Sequence, residues 1–260
     1  MEAGSRAAVL RVNMTVARIA LAALAFLVSA LAVPVLGRAH PTGTLIAAFV
    51  TRSEILLCSD GRVVNSATRE TVRDDWPKVH RLTDQAGLLT AGRDLPRLRD
   101  QFAAKLGSQR LEQVSAIATV LRGALEAEWS AIATSSGQTP AGRAFAVVAG
   151  FDADRTARLF YMDSASRPAF LLQPVSLFGA GQELEIFAIS SNLDANEDVS
   201  SLLVRRLDAL ARQQPAPDRR GLMLSAFEAA KQELGARNRT IGGRTFGAVI
   251  TRGGRYEAVR

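Results

Sequence analysis

Short apolar runs in closely spaced pairs most constrain how this chain can fold. Thr44–Val50 and Glu54–Cys58 are separated only by Thr51-Arg52-Ser53, and Asp60-Gly61 closes the pair. Runs this short, bounded by turn residues, give the pattern of two buried strands joined by a tight turn. Lys78–Leu82 and Ala86–Thr90 repeat the pattern around Thr83-Asp84-Gln85, after a polar segment from Arg62 to Pro77. Helical spacing then takes over in Leu95–Lys105 and Leu111–Ile132, where Leu111, Val114, Ile117, Val120, Leu121 and Leu125 share a face. Beyond a Ser135–Gly142 loop, Phe145–Phe151, Ala157–Met162 and Phe170–Gln173 read as strands. Gln182–Ser190, Asp198–Arg212 and Arg219–Arg237 read as helices. Phe246–Thr251 and Tyr256–Val259 flank Arg252-Gly253-Gly254-Arg255, a hairpin signal. Two sheets with a helical layer on each outer side satisfy this order, so a layered α+β domain is expected.

The chain has 260 residues, 48% of them hydrophobic, enough to fill a sizeable core. A single Cys excludes an internal disulfide. With only His40 and His80 beside Cys58, a metal site built from Cys and His is not expected, and no cofactor is expected. The formal charge of +7 raises the question of nucleic acid. Residues 1–39, however, hold Arg6, Arg11, Arg18 and Arg38 against Glu2 alone, which leaves the body a surplus of four. No basic run is interleaved with aromatics, so no nucleic-acid partner is expected.

Ile19–Gly37 carries no charge and follows Arg6, Arg11 and Arg18. This is the layout of a signal peptide, with Ala30-Leu31-Ala32 as a small-x-small cleavage site and a second candidate after Ala39. An uncleaved signal anchor is the alternative, and translation could begin at Met1 or Met14. The expected organisation is a signal or anchor over 1–39, a linker or end of a propeptide over 40–43, and a globular domain over 44–260. The chain would be exported to the periplasm or outside the cell, or be membrane-tethered.

Only three lysines, Lys78, Lys105 and Lys231, stand among the 32 Lys and Arg residues. A Lys at a strand start, where the arginine bias was resisted, is informative because only Lys readily shifts its pKa. Thr44 opens the first strand, the second ends in Ser59-Asp60-Gly61-Arg62, and Lys78 opens the third. Cys58 reads as core packing.

These residues resemble the proteasome β-subunits and the related peptidase of the bacterial ATP-dependent two-component protease. In that family a propeptide ending in Gly is removed before a Thr, and an acidic-x-Arg motif falls sixteen residues later. Here Gly43-Thr44 precedes Asp60-Gly61-Arg62 at that spacing. The family's Lys-hydrophobic strand leads to an Ala-Gly turn fourteen residues on, as Lys78-Val79 leads to Ala91-Gly92. Phe145–Asp152 with Arg158–Asp163 is similar to its central hairpin. Phe178-Gly179-Ala180-Gly181 is similar to its Gly-x-Gly loop before a helix, Ala229-Ala230-Lys231 to its next-to-last helix, and Gly242-Gly243 with Gly247–Arg252 to its last strand.

The resemblance implies an N-terminal nucleophile hydrolase with a four-layer αββα sandwich, two mainly antiparallel sheets flanked by helices. Thr44 Oγ would attack the scissile carbonyl, with its own freed amine as base. Lys78 would lower the hydroxyl's pKa, and Asp60 would hold Lys78 charged. The Gly92 N–H would help bind the oxyanion, worth roughly 3 kcal/mol in comparable sites. Arg62 would support the Asp60 turn, Asn238 stands where the family has Asp, and Asp94 falls where the family lines its first specificity pocket, which implies a preference for a basic side chain. Peptides or proteins would be the substrates and a ring-like homo-oligomer the assembly, with no ATP-driven unfoldase if the protein is exported. Two departures, Ala180 for the family's Ser and Asn238-Arg239-Thr240-Ile241 for its Asp-x-x-Ser, leave a catalytically inactive proteasome-like scaffold as the alternative.

Overall fold

A computed structural model describes residues 44–259, apart from 66, 67, 69, 94, 137–141, 180, 191–198 and 213–217. The expectations for residues 1–43 and for Asp94 lie outside the described residues. Among those described, the first sheet contains β1 (Leu45–Thr51), β2 (Glu54–Asp60), β10 (Leu184–Ser190), β11 (Thr245–Thr251) and β12 (Arg255–Val259), in the order β10-β1-β2-β11-β12. The second contains β5 (Val79–Arg81), β6 (Ala86–Gly92), β7 (Ala144–Phe151), β8 (Ala157–Asp163) and β9 (Gln173–Pro174), in sequence order. All pairings are antiparallel. A small hairpin, β3 (Val63–Val64) with β4 (Thr71–Arg73), interrupts the polar segment between them. Helices α1 (Leu98–Leu106) and α2 (Val114–Ser136) follow β6, and α3 (Val199–Ala211) and α4 (Arg219–Arg237) precede β11.

The apolar runs are unbroken because both faces of their strands are covered. Successive side chains of a strand point to opposite faces. Along β1, Leu45, Ala47 and Phe49 pack with Leu202, Leu203 and Phe227 of α3 and α4. Ile46, Ala48 and Val50 meet Leu89, Val147 and Phe151 of the opposing sheet instead. β7 divides in the same way: Ala146 and Val148 join Ile117 and Leu121 of α2, while Phe145, Val147 and Ala149 face the intersheet core. The architecture is therefore the four-layer αββα sandwich, with three apolar strata between its layers.

Two expected elements differ. Gln182–Ser190 forms the edge strand β10 rather than a helix, paired with β1 from Leu45↔Ser190 to Thr51↔Leu184. Its apolar run, Leu-Glu-Ile-Phe-Ala-Ile-Ser, is strand length and rich in β-formers. Leu184, Ile186 and Ala188 pack toward the helices, while Phe187 and Ile189 pack toward the other sheet. Phe170–Gln173 is not a strand over its length. Only Gln173 and Pro174 pair with β8, and Phe170 takes a left-handed φ of 56° so that its ring can be buried against Trp129 of α2. No helix among the described residues is long and apolar enough to cross a membrane.

Phe49 is fully buried against α3 and α4, whereas Val72 on the β3–β4 hairpin is 60% exposed. Phe49→Ala should lower the unfolding free energy by about 3–5 kcal/mol. Val72→Ala should change it by less than about 0.5 kcal/mol, both read from urea denaturation.

Candidate active site

Thr44 immediately precedes β1, Asp60 ends the neighbouring β2, and Lys78 stands just before β5 in the opposite sheet. The hairpin register that sets Ile46 against Ser59 brings the start of β1 beside the end of β2. Lys78 is held in line by its carbonyl, which accepts the Thr90 N–H of β6 at 3.0 Å. Its side chain crosses the space between the sheets.

There Lys78 Nζ donates to Thr44 Oγ1 at 3.1 Å, to Asp60 Oδ1 at 2.8 Å and to the Arg62 carbonyl at 2.7 Å. Asp60 Oδ1 also accepts the Leu45 N–H at 3.2 Å, and Oδ2 accepts the Gly242 N–H at 3.0 Å. Thr44, Asp60 and Lys78 are all buried. Burial pulls the Lys78 ammonium below its ordinary lysine value, with Asp60 opposing the shift. Burial also raises the Asp60 carboxyl, against the pull of Lys78 and the two backbone N–H groups. A lysine whose proton is loosened in this way, bonded to a hydroxyl, can polarise that hydroxyl and exchange a proton with it.

Residues 41–169 match the model of the proteasome subunit family. The chain belongs to that family. The match spans β1 to β8 and so includes Thr44, Asp60, Lys78 and Gly92, and it stops short of Asn238. No curated protein matches the chain at a significant level.

Arg62 follows the end of β2 and lends its carbonyl to Lys78. Its guanidinium bonds Asp74 at 2.6 and 3.1 Å and the carbonyls of Arg239 and Ile241 at 2.9 and 3.5 Å. It thereby fixes the loop whose Gly242 N–H reaches Asp60. Gly92 ends β6, two residues beyond the Thr90 that bonds Lys78. At its φ of 83° an added Cβ would lie 2.0 Å from the Arg143 carbonyl, so only glycine fits. The bonds joining Thr44, Asp60, Lys78 and Arg62 do not extend to it. Asn238 caps α4, and its Oδ1 accepts the N–H and hydroxyl of Thr240 at 3.1 and 2.6 Å.

The Gly-x-Gly assignment requires correction. Gly179–Gly181 leads into strand β10, not a helix, and the strand that precedes α3 ends at Ser190. Ala180 thus does not stand in the loop before the helix. That loop is 191–198, outside the described residues.

Sequence reasoning missed the support beneath Gly242-Gly243. Buried Lys231 Nζ donates to the Gly243 carbonyl at 2.8 Å and to Thr245 Oγ1 at 2.7 Å, and pairs with Glu228 at 2.8 Å. Its rarity as one of three lysines was the signal that could have found it. Cys58 is buried, and burial pushes its thiol up, which fits core packing.

Arg62 holds the Asp74 carboxyl below the ordinary carboxylate value. A depressed folded-state pKa contributes stability that is present above the unfolded value of about 3.9 and is lost as pH falls through the lower folded value. Asp74→Asn should therefore lower the urea midpoint at neutral pH. The difference from the parent should shrink as pH falls below about 3.9 and through the lower folded value, and vanish once both forms are uncharged at this position.

Proposed function

We propose that the chain is a threonine-type peptidase or amidohydrolase that acts after the Gly43–Thr44 bond is cut. The observation that carries this reading is the buried Lys78 ammonium 3.1 Å from Thr44 Oγ1 and 2.8 Å from Asp60. An unassisted Thr hydroxyl is a weak nucleophile, and a nearby cation together with a free α-amine supplies the activation it lacks. In the proposed cycle Thr44 Oγ attacks the scissile carbonyl and the Thr44 amine accepts its proton. Lys78 stabilises the developing negative charge on oxygen, and Asp60 keeps Lys78 in place. The amine then protonates the leaving amine, and water releases the acyl group. The Gly92 N–H would serve the oxyanion, and Asp94 would favour a basic side chain at the first specificity pocket.

The charge-free Ile19–Gly37 segment behind three arginines supports export or membrane tethering. Cleavage after Ala32 or Ala39 would leave a short propeptide for the protein to remove itself. A catalytically inactive scaffold is the second reading, favoured by Asn238 and Ile241 at positions where the family carries Asp and Ser.

Intact mass of the chain expressed with its export segment separates the readings. A mature species beginning at Thr44, absent in Thr44→Ala, is expected. A stable N-terminus at Val33 or His40 would favour the scaffold. Once matured, Lys78→Ala should reduce peptide hydrolysis by about a hundredfold or more. Lys78→Arg should not restore it, because a bulkier planar guanidinium cannot replace the compact ammonium that donates to Thr44, Asp60 and the Arg62 carbonyl at once. Model peptides cleaved after Arg and after Leu at equal rates would remove Asp94 from the specificity pocket.

A further inference from the structure

Gly92 stands apart from the bonds that join Thr44, Asp60 and Lys78, and a second set of bonds fixes it from the neighbouring strand. Ala91, before it, pairs with Phe145 of β7, and the Arg93 N–H, after it, donates to the Arg143 carbonyl at 2.8 Å. The same carbonyl oxygen is the atom that an added Cβ at Gly92 would meet at 2.0 Å. The φ of 83° at Gly92 is therefore set by where the Arg143 carbonyl stands, and φ is the angle that turns a residue's N–H against the chain that follows it. Along an antiparallel strand the N–H groups face one neighbour and then the other. The Thr90 N–H is turned to Lys78 at the head of β5, so the Gly92 N–H, two residues on, is turned to the side of β6 on which Lys78 lies.

The Arg143 carbonyl belongs to the Arg143–Ala144 peptide, a planar unit whose C=O and N–H point in opposite directions. Its carbonyl end faces Gly92, and its N–H end donates to Ser164 Oγ at 3.0 Å. Ser164 follows β8, and its own N–H donates to the Ala144 carbonyl at 3.0 Å, so one residue holds both backbone groups of Ala144. The β7–β8 ladder runs from Phe145↔Asp163 to Phe151↔Ala157, and the Ser164 hydroxyl adds its bond beyond the end of that ladder. The Arg143 side chain is tied down as well. Its guanidinium lies 4.8 Å from the centre of the Phe145 ring and pairs through Nε and Nη2 with Asp163, the last residue of β8. Asp163 is buried and also accepts the Tyr161 hydroxyl at 3.1 Å and the Ala165 N–H at 2.8 Å. A fork on a buried carboxylate holds an arginine more firmly than a solvated surface pair does.

We propose that Ser164, with the Arg143–Asp163 pair beside it, is a positioning residue that sets the Gly92 N–H for the oxyanion of the hydrolytic step. The assignment rests on the threonine-peptidase reading and deepens it, since it names what holds a donor that the Lys78 cluster does not reach. A donor fixed in advance stabilises the charge that develops on oxygen without reorganising at the moment of reaction. A donor free to swing must first be oriented, and that cost falls on the transition state more than on the bound substrate. Ser164 acts through the Arg143–Ala144 peptide rather than on the substrate itself.

The test uses the full chain matured at Thr44, with Ser164→Ala, Ser164→Thr and Arg143→Met as variants. Ser164→Ala should lower kcat for a model peptide by about tenfold and leave KM within about twofold, as expected for an interaction made in the transition state. Ser164→Thr keeps the hydroxyl and should restore most of the rate. Arg143→Met, at a side chain 57% exposed, should fold normally and lower kcat in the same sense. A peptide aldehyde reports on the tetrahedral state: Thr44 Oγ bonds to its carbonyl carbon, and the hydroxyl proton passes to the former carbonyl oxygen. Its affinity should fall by the same factor as kcat, while the affinity of the matching peptide acid stays unchanged. Amide hydrogen exchange, followed by NMR in the Thr44→Ala chain, requires no hydrolysis. There Ser164→Ala should speed exchange at Arg93 by about tenfold and leave Leu45 and Gly242 as they were. An active parent whose Ser164→Ala form keeps its kcat would overturn this proposal alone. So would a loss carried wholly by KM, an aldehyde affinity that does not follow kcat, or unaltered exchange at Arg93. A parent that hydrolyses nothing would overturn the peptidase reading and this proposal with it, an outcome recognised before any variant is made.

Discussion

The Asp60 carboxylate is the point on which the site depends. It is fully buried and accepts bonds from three separate parts of the chain: the start of β1 through Leu45 N–H, the start of β5 through Lys78, and the turn after α4 through Gly242 N–H. A buried carboxylate without such donors would be costly to desolvate. With them it fixes the lysine against the threonine. The turn that supplies Gly242 is fixed in its own right by Arg62 from one side and by Lys231 from the other. Gly243 takes a φ of 74°, where an added Cβ would come within 2.5 Å of the Asp74 carbonyl.

The layers that carry this constellation follow from strands buried on both faces, and much of this was legible in the residues. The paired apolar runs gave β1–β2 and β5–β6, and the helical spacing around Ile117 and Leu121 gave α2. What escaped was β10. A run of seven apolar and polar residues after Gly181 does not reveal its period, since Ile186, Phe187 and Ile189 suit a buried helix face as well as a strand. The choice is made by β1, whose free edge needs a partner along its whole length, and that requirement lies more than a hundred residues away in sequence. Phe170 escaped for a different reason: its left-handed backbone serves the burial of its ring against Trp129, which no local pattern shows.

The site divides in the same manner. The spacing from Thr44 to Asp60 was legible because a tight hairpin fixes which residues stand abreast. Lys78 was legible because lysine is scarce here and because a resemblance supplied its register. The role of Gly242 as a donor to Asp60 was not, since a backbone N–H carries no sequence signature. The misplaced Gly-x-Gly loop shares the cause of the missed β10: a helical reading of Gln182–Ser190 makes the preceding glycines its entry.

The bond from Lys78 to Asp60 spans the two sheets, and the bond from Gly242 to Asp60 ties in a turn that follows more than nine-tenths of the chain. The cluster is thus a record of completed folding. A chain still missing its closing hairpin has Thr44, Asp60 and Lys78 in its sequence and no assembled site. Under the proposed function this makes a checkpoint: Thr44 would become reactive only in a molecule whose two sheets and last turn have already met.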